Sequence, residues 1–378
     1  MDKKFGIMTF HQSYNCGSIL QALALEKIIE TCGYEAECIN FSNIGQKNMY
    51  SILDTRNNFK AFLKNIVLRW NYQVIKKHFE DYQFFIDSFL KVSKESYTYT
   101  EELVGIEENY TGLIAGSDQV WNVKCYDADK AYFLSFAKNI KKIAYAPSLG
   151  AIDLRTTEVD ISEYKKYLQD FDYLSCREKN GQSIIHEITN MNVELIADPT
   201  LLFKKEEWNK MVPTEDYIGK PFIFYYAFLY PDEVNKCVQK IAREKKFDVF
   251  IMDAKAYYLN ALWRYGFKLT DQGGPREFIY RIKNSSIVLT TSFHGTVFSA
   301  LYHKSFLFLN SSMHDKTDDR AITILQQLGL EKRYVSFDEV SNQIDEEIDY
   351  RIVDKNIEKL RQESVQYLKN ALEGINNE

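Results

Sequence analysis

The sequence predicts an α/β protein built from two doubly wound, Rossmann-like domains that face each other across a cleft, and three observations lead there. Short apolar runs rich in β-branched and aromatic residues alternate along the chain with segments of helical spacing. The alternation starts twice, at Phe5 and again at Pro221 after a charged stretch. At 378 residues the chain is also too long for one ordinary core and suits two.

Composition narrows the function classes. An apolar fraction of 45% and a charged fraction of 26% describe a soluble globular protein. A net charge of −6 gives no basic footprint, so nucleic acid is not expected as a partner. The cysteines (Cys16, Cys32, Cys38, Cys125, Cys176, Cys237) show no C-x-x-C spacing, which suggests neither zinc nor a disulfide framework; reduced thiols in a cytoplasm fit best. Met1 to Phe5 reads as the lead into a strand rather than a signal peptide, and no apolar run is long enough to span a bilayer. The 26 Tyr and 25 Phe are read as core first and as sugar-stacking surface second.

Phe5 to Phe10 reads as the first strand, Ser18 to Thr31 as a helix closing at Gly33, and Glu35 to Phe41 as the next strand. The loop of this βαβ unit, His11 to Gly17, is polar where a dinucleotide site keeps glycines, so no dinucleotide is indicated. Asn15, Gly17, Ser18 and Gln21 are candidates to hydrogen-bond a ligand, with a plain capping loop as the alternative. Asn57 to Val92 is long, helical and aromatic with interleaved lysines and arginine. It reads as helices packed on the domain, and the less favoured reading is a basic amphipathic surface that meets a membrane. A strand at Thr111–Ala115 runs into Gly116, Ser117, Asp118, Gln119, Val120, Trp121 and Asn122, a concentration of sugar-type contacts whose alternative is a turn with a core tryptophan. Further strands are expected at Lys141–Ala146, at Tyr173 and at Val193–Asp198. Arg177, after the second of these, could clamp a carboxylate or phosphate, or form an ion pair with Glu178 or another acid. The first domain ends near residue 203.

The second half alternates afresh: strand at Pro221–Phe228, helix at Pro231–Lys245, strand at Phe247–Met252, helix at Pro275–Lys283. Its centre is Ser286–Leu309, which reads as strand, turn, helix, strand. The turn carries His294 among Thr290, Thr291, Ser292 and Thr296, with Gly295 allowing close approach to the backbone. An imidazole beside the N–H groups of a helix start suits proton transfer on an anionic substrate; the alternative is a hydrogen-bonded turn residue. A charged loop, His314 to Arg320, leads into a helix reaching Leu328, and Val353–Leu372 reads as a long polar helix.

Taken together, Asn15–Leu25, Gly116–Asn122, Ser175–Glu178, Ala197–Leu202 and Thr291–Gly295 resemble, in order, the motifs of the polysaccharide pyruvyl transferase family. The resemblance implies a GT-B-like fold, phosphoenolpyruvate as donor, a saccharide of a cell-surface polysaccharide or its precursor as acceptor, and a pyruvate ketal as product. It carries the catalytic histidine onto His294 and the donor-binding arginine onto Arg177. Some members have an arginine two residues before the histidine, where this chain has Ser292. A second donor-binding cation is therefore sought in Arg320, Lys316 or Arg276, beside Ser292, Gly295 and Thr296.

The expected function is thus a cytoplasmic pyruvyl transferase, with His294 and Arg177 catalytic and Asn15, Gly17, Gln21, Ser117, Asp118, Gln119 and Trp121 reading the acceptor. No cofactor and no metal are expected, since the scheme needs neither and the sequence shows no clustered ligand set. The acceptor is open to being lipid-linked, with a peripheral membrane contact through 57–92. Two alternatives are a nucleotide-sugar glycosyltransferase of the same fold and a non-catalytic saccharide-binding protein. Expected domains are 1–203 with a helical insertion at about 57–92, 204–345, and a C-terminal helix, 346–378, packing back on the first domain.

Overall fold

The computed structural model describes residues 3–310, 319–336 and 340–376. In the first lobe the chain runs through β1 (Lys4–Met8), α1 (Cys16–Thr31), β2 (Glu35–Phe41), α2 (Ile44–Met49), α3 (Phe59–Trp70), α4 (Tyr72–Phe89), β3 (Val92–Tyr97), β4 (Gly112–Ala115), β5 (Lys142–Ala144), α5 (Ile161–Gln169), β6 (Ser175–Cys176), α6 (Lys179–Thr189) and β7 (Glu194–Leu195). The five-stranded sheet is parallel with order β3-β2-β1-β4-β5. The β6–β7 pair attaches beyond β5, where the Ala144 amide donates to Tyr173 O at 2.8 Å.

The second lobe comprises α7 (Lys205–Met211), β8 (Phe222–Tyr226), α8 (Asp232–Lys245), β9 (Asp248–Ile251), α9 (Ala254–Leu259), β10 (Lys268–Leu269), α10 (Gly274–Asn284), β11 (Ile287–Thr290), α11 (Phe293–Leu301), β12 (Ser305–Asn310), α12 (Asp319–Leu328), β13 (Tyr334–Ser336) and α13 (Val340–Gln343), followed by α14 (Tyr350–Asn376). Its parallel sheet has order β10-β9-β8-β11-β12-β13. Both lobes therefore reverse strand order beside their first strand, between β1 and β4 and between β8 and β11. A crevice opens at such a switch point because the two flanking crossovers leave in opposite directions.

Helices α1, α4 and α14 join the lobes. Helix α1 is buried around nearly its whole circumference, since Ile19, Leu20, Leu23, Ala24 and Ile28 are apolar on more than one face. It packs on α10 and α11 of the second lobe, and Phe5 and Leu23 share an apolar core with Phe278 and Phe298. The cleft narrows there to a packed seam. The last helix, α14, buries Leu368 and Leu372 in the same core. Ser364 Oγ accepts from the Ala197 amide at 2.8 Å and the Tyr367 hydroxyl donates to Ala144 O at 2.9 Å, both in the first lobe.

The 57–92 stretch is largely helical, to Phe89, and a strand follows it. Val92–Tyr97 pairs with β2 at the sheet edge, and its polar composition hid it from a hydrophobic pattern. Helix α4 reaches the second lobe: Asp81 Oδ2 accepts the Gly273 amide at 2.8 Å, and the His78 ring lies 3.2 Å from Met252 O. A Cβ at Gly273 would sit 2.8 Å from His78 O, so this approach requires glycine.

Candidate active site

The site forms where the two switch points meet. After β1, Asn15 caps α1, its Oδ1 accepting from the Gly17 amide at 2.9 Å and the Ser18 amide at 3.4 Å. After β4 the chain turns tightly. A Cβ at Gly116 would lie 2.9 Å from Thr9 Cβ, and Asp118 adopts the left-handed region at φ 76°. That conformation aims the Asp118 carboxylate inward. Its Oδ2 accepts from the Ser18 hydroxyl, and its Oδ1 accepts from the Gln119 amide at 2.8 Å and from Arg177 Nη2 at 3.3 Å.

Arg177 leaves the end of β6 and is pinned on three sides. Nη1 donates to Asp198 Oδ2 at 2.6 Å, Nη2 faces Asp118, and the guanidinium carbon lies 4.4 Å from the centre of the Phe293 ring. Asp198 precedes the 3₁₀ turn Pro199–Leu202. Its Oδ1 accepts from the Thr200 amide at 3.0 Å and hydroxyl at 2.6 Å, and its Oδ2 also accepts from the Ser117 hydroxyl at 2.9 Å.

From the second lobe, Ser292 caps α11 by accepting the Gly295 amide at 3.3 Å, while the Thr290 hydroxyl donates to Tyr226 O at 2.7 Å. A Cβ at Gly295 would sit 2.3 Å from Thr290 Oγ1, and Thr296 Oγ1 donates to Ser292 O at 3.2 Å. Ser292, Gly295 and Thr296 thus build the turn that presents His294. Its Nε2 lies 3.4 Å from Asp198 Oδ2 without a hydrogen bond, and its other nitrogen faces Gly17, where a Cβ would come within 2.0 Å of Nδ1.

His294 and Arg177 therefore do converge, and the point of convergence is a carboxylate of the protein itself. Burial opposes ionisation of Asp198, but His294 and Arg177 outweigh it and hold the carboxyl well below the usual carboxylate range. Asp118 is lowered against its own burial by Arg177 and then His294. Arg177 set against these two carboxylates leaves one negative charge before His294 is counted. The neighbouring Glu178 is a different case. Burial lifts its carboxyl to about 7, Oε1 accepts the Leu149 amide at 2.7 Å, and Oε2 has no hydrogen-bond partner among the described residues.

Several expected contacts fall elsewhere. Trp121 is fully buried, donates its indole N–H to Tyr132 O at 3.1 Å and stacks on Phe133, so it is a core residue with no face for a sugar. Gln21 is buried, donating to Thr9 Oγ1 and Ser18 O, both at 2.8 Å; Ser117 is spent on Asp198 and Ala146 O. These three hold the site from behind. Gln119 is half-buried and accepts from Asn122 Nδ2 at 3.0 Å. Among the cation candidates, Lys316 lies outside the described residues. Arg320 is close enough for its charge to act on Glu178 and Cys125, and Arg276 donates to Pro213 O at 3.1 Å on the surface. Asp198 was missed as a site residue, although an aspartate at a strand's carboxyl end before Pro199 satisfies the same positional rule that selected Asp118.

Beside the seam lies a cavity of about 540 Å³, lined by Asn15, Tyr14, Tyr50, Tyr82 and Tyr226 and by Lys64, Asp253 and Lys255; neither His294 nor Arg177 lines it. Asn15 is thus both the helix cap and part of this wall.

Solved structures share this fold. S. aureus MnaA, solved with UDP, superposes with a TM-score of 0.53 at 12% identity over 95% of this chain and 91% of its own. UDP-GlcNAc 2-epimerase from Neisseria meningitidis, bound to UDP-GlcNAc, gives 0.51 at 11% over 99% and 98%, and the enzyme from Methanocaldococcus jannaschii gives 0.51 at 10% over 95% and 92%. At such identities the likeness concerns the fold, which is GT-B-like. No curated protein matches the chain. A family model described as polysaccharide pyruvyl transferase matches residues 15–313, from the α1 cap past the His294 turn, and the chain belongs to that family.

Proposed function

We propose that the chain transfers the pyruvyl group of phosphoenolpyruvate to two hydroxyls of a saccharide in a cell-surface polysaccharide or its precursor, giving a pyruvate ketal. The observation that carries this reading is the meeting of Arg177 and His294, from opposite lobes, at Asp198. In the reaction C3 of the enol gains a proton, two sugar oxygens bond to C2, and the C2–O bond breaks to release phosphate. One hydroxyl proton ends on C3 and the other on phosphate. His294 is the residue that moves these protons, with Asp198 facing Nε2 and stabilising the imidazolium. Arg177 is the cation for the donor, exchanging a carboxylate of the protein for one of the substrate as the seam opens. Arg177 is already matched by Asp118 and Asp198, so donor binding draws on a further cation, and Arg320 is our candidate. The tyrosine-lined cavity is the acceptor's place, because aromatic faces with polar rims suit sugar rings.

The test is incubation with phosphoenolpyruvate and candidate glycans. Phosphate release coupled to a glycan gaining the mass of pyruvate less water supports the reading. Release of nothing, with turnover of a nucleotide sugar instead, overturns it. One observation favours a second reading, a non-catalytic saccharide-binding protein: Arg177 is buried and already paired with two carboxylates, as a structural clamp would be. That reading expects saccharide, but not phosphoenolpyruvate, to raise the melting temperature.

A further inference from the structure

Helix α3 carries an apolar face on its outside. Ala61 and Leu68 are buried where it packs on α9, and Asn58 caps it by accepting the Ala61 amide at 2.9 Å. On the opposite side Phe59, Phe62, Leu63, Ile66 and Trp70 follow the i, i+3, i+4, i+7 rule and stand 73, 60, 47, 44 and 90% exposed. A surface helix ordinarily turns polar residues outward there, and a contiguous aromatic stripe of this kind marks an interaction surface. The bases are arranged around it. Lys60, Lys64 and Arg69 are exposed and form no ion pair among the described residues. From residue 55 to 79 the sequence holds six Lys/Arg and no Asp/Glu, in a chain whose net charge is −6.

We propose that α3 is a docking helix that seats the protein on an anionic lipid bilayer, its aromatic stripe entering the boundary between headgroups and acyl chains. Charge selects this occupant. A second copy meeting face to face across a two-fold axis would set these lysines and arginine against their own mates, with no acid between them, whereas anionic headgroups satisfy the bases while the acyl boundary takes the rings. The helix spans about 18 Å and is held from behind, so it lies flat on the surface. Among the described residues no helix is long and apolar enough to cross a membrane, so the contact is peripheral. Lys64 also lines the tyrosine-rich cavity, which sets that mouth beside the bilayer. If the transferase reading holds, this is where a lipid-linked acceptor is presented; the docking itself does not depend on that reading.

Flotation of the full chain with vesicles of phosphatidylcholine alone, or with added phosphatidylglycerol, tests it without any turnover. Binding to the anionic vesicles only, weakening with salt, is expected. Phe62→Ser/Trp70→Ser should reduce it more than tenfold, and Lys60→Gln should reduce it about fivefold, with the melting temperature unchanged because these side chains are exposed. No binding at low salt, or binding that survives Phe62→Ser/Trp70→Ser, overturns the proposal. So does a lipid-free dimer that this double variant dissociates, which would assign the stripe to a second copy.

Discussion

The two lobes share one strand order yet furnish their switch points in different ways. The first lobe offers a network: Asp118 in a left-handed conformation, Asp198, Ser18, Ser117 and Arg177, every one buried and bonded to another. The second offers one imidazole on an ordinary helix start, held by a serine cap and a glycine packed on Thr290. The difference teaches that a shared fold specifies where a site lies while leaving open how its charge is supported. A charge network in a buried seam is both structure and chemistry, so its residues are hard to change without unfolding consequences. A single residue on a capped turn carries less of the fold than a network does.

That contrast can be broken, and the largest effect should fall on the second lobe. His294→Gln is expected to lower turnover by about 10² to 10⁴, further than loss of its interaction with Asp198 lowers the unfolding midpoint. Near-normal turnover of phosphoenolpyruvate would end the assignment. Arg177→Met should instead act on stability, since it leaves Asp118 and Asp198 buried without their cation; a loss of about 3–5 kcal/mol by denaturant titration is expected. A fully stable Arg177→Met would show that the network is not the support it is taken to be. Gly17→Ala joins the two regions, because its Cβ would stand 2.0 Å from His294 Nδ1. The imidazole or α1 must shift, at about 1–3 kcal/mol of stability, with turnover falling further than stability does.

The remaining effect is a pH dependence. Burial lifts Glu178 from an ordinary 4.5 to about 7, so the folded state holds this proton more tightly than the unfolded chain. The stability it contributes is full below about 4.5 and is lost as pH rises to about 7. Glu178→Gln carries no such proton. Its melting temperature should gain on the parent's between those values and then run parallel, and a constant offset throughout would reject the idea.

The 57–92 stretch shows the limits of pattern from the other side. Helical spacing found α3 and α4, but a polar edge strand, β3, leaves no period to read, because edge strands need little burial on either face. Whether an apolar stripe faces core or water is likewise absent from spacing. Ala61 and Leu68 rather than Phe62 and Trp70 turned out to be the packed face of α3. Trp121 shows the same ambiguity in reverse, its polar neighbours suggesting a ligand wall while the ring lies in the core.

By itself the sequence determined the alternation of strand and helix, the two starts of that alternation, and the loops that close on each strand's carboxyl end, because these follow from local period, caps and turns. It also carried the family motifs that place His294 and Arg177. Only the tertiary structure decided that these two residues meet at Asp198, that Trp121, Gln21 and Ser117 stand behind the site, and that α1 closes the seam. Charge pairing and burial depend on distances between segments that are far apart along the chain, and no local pattern encodes such distances.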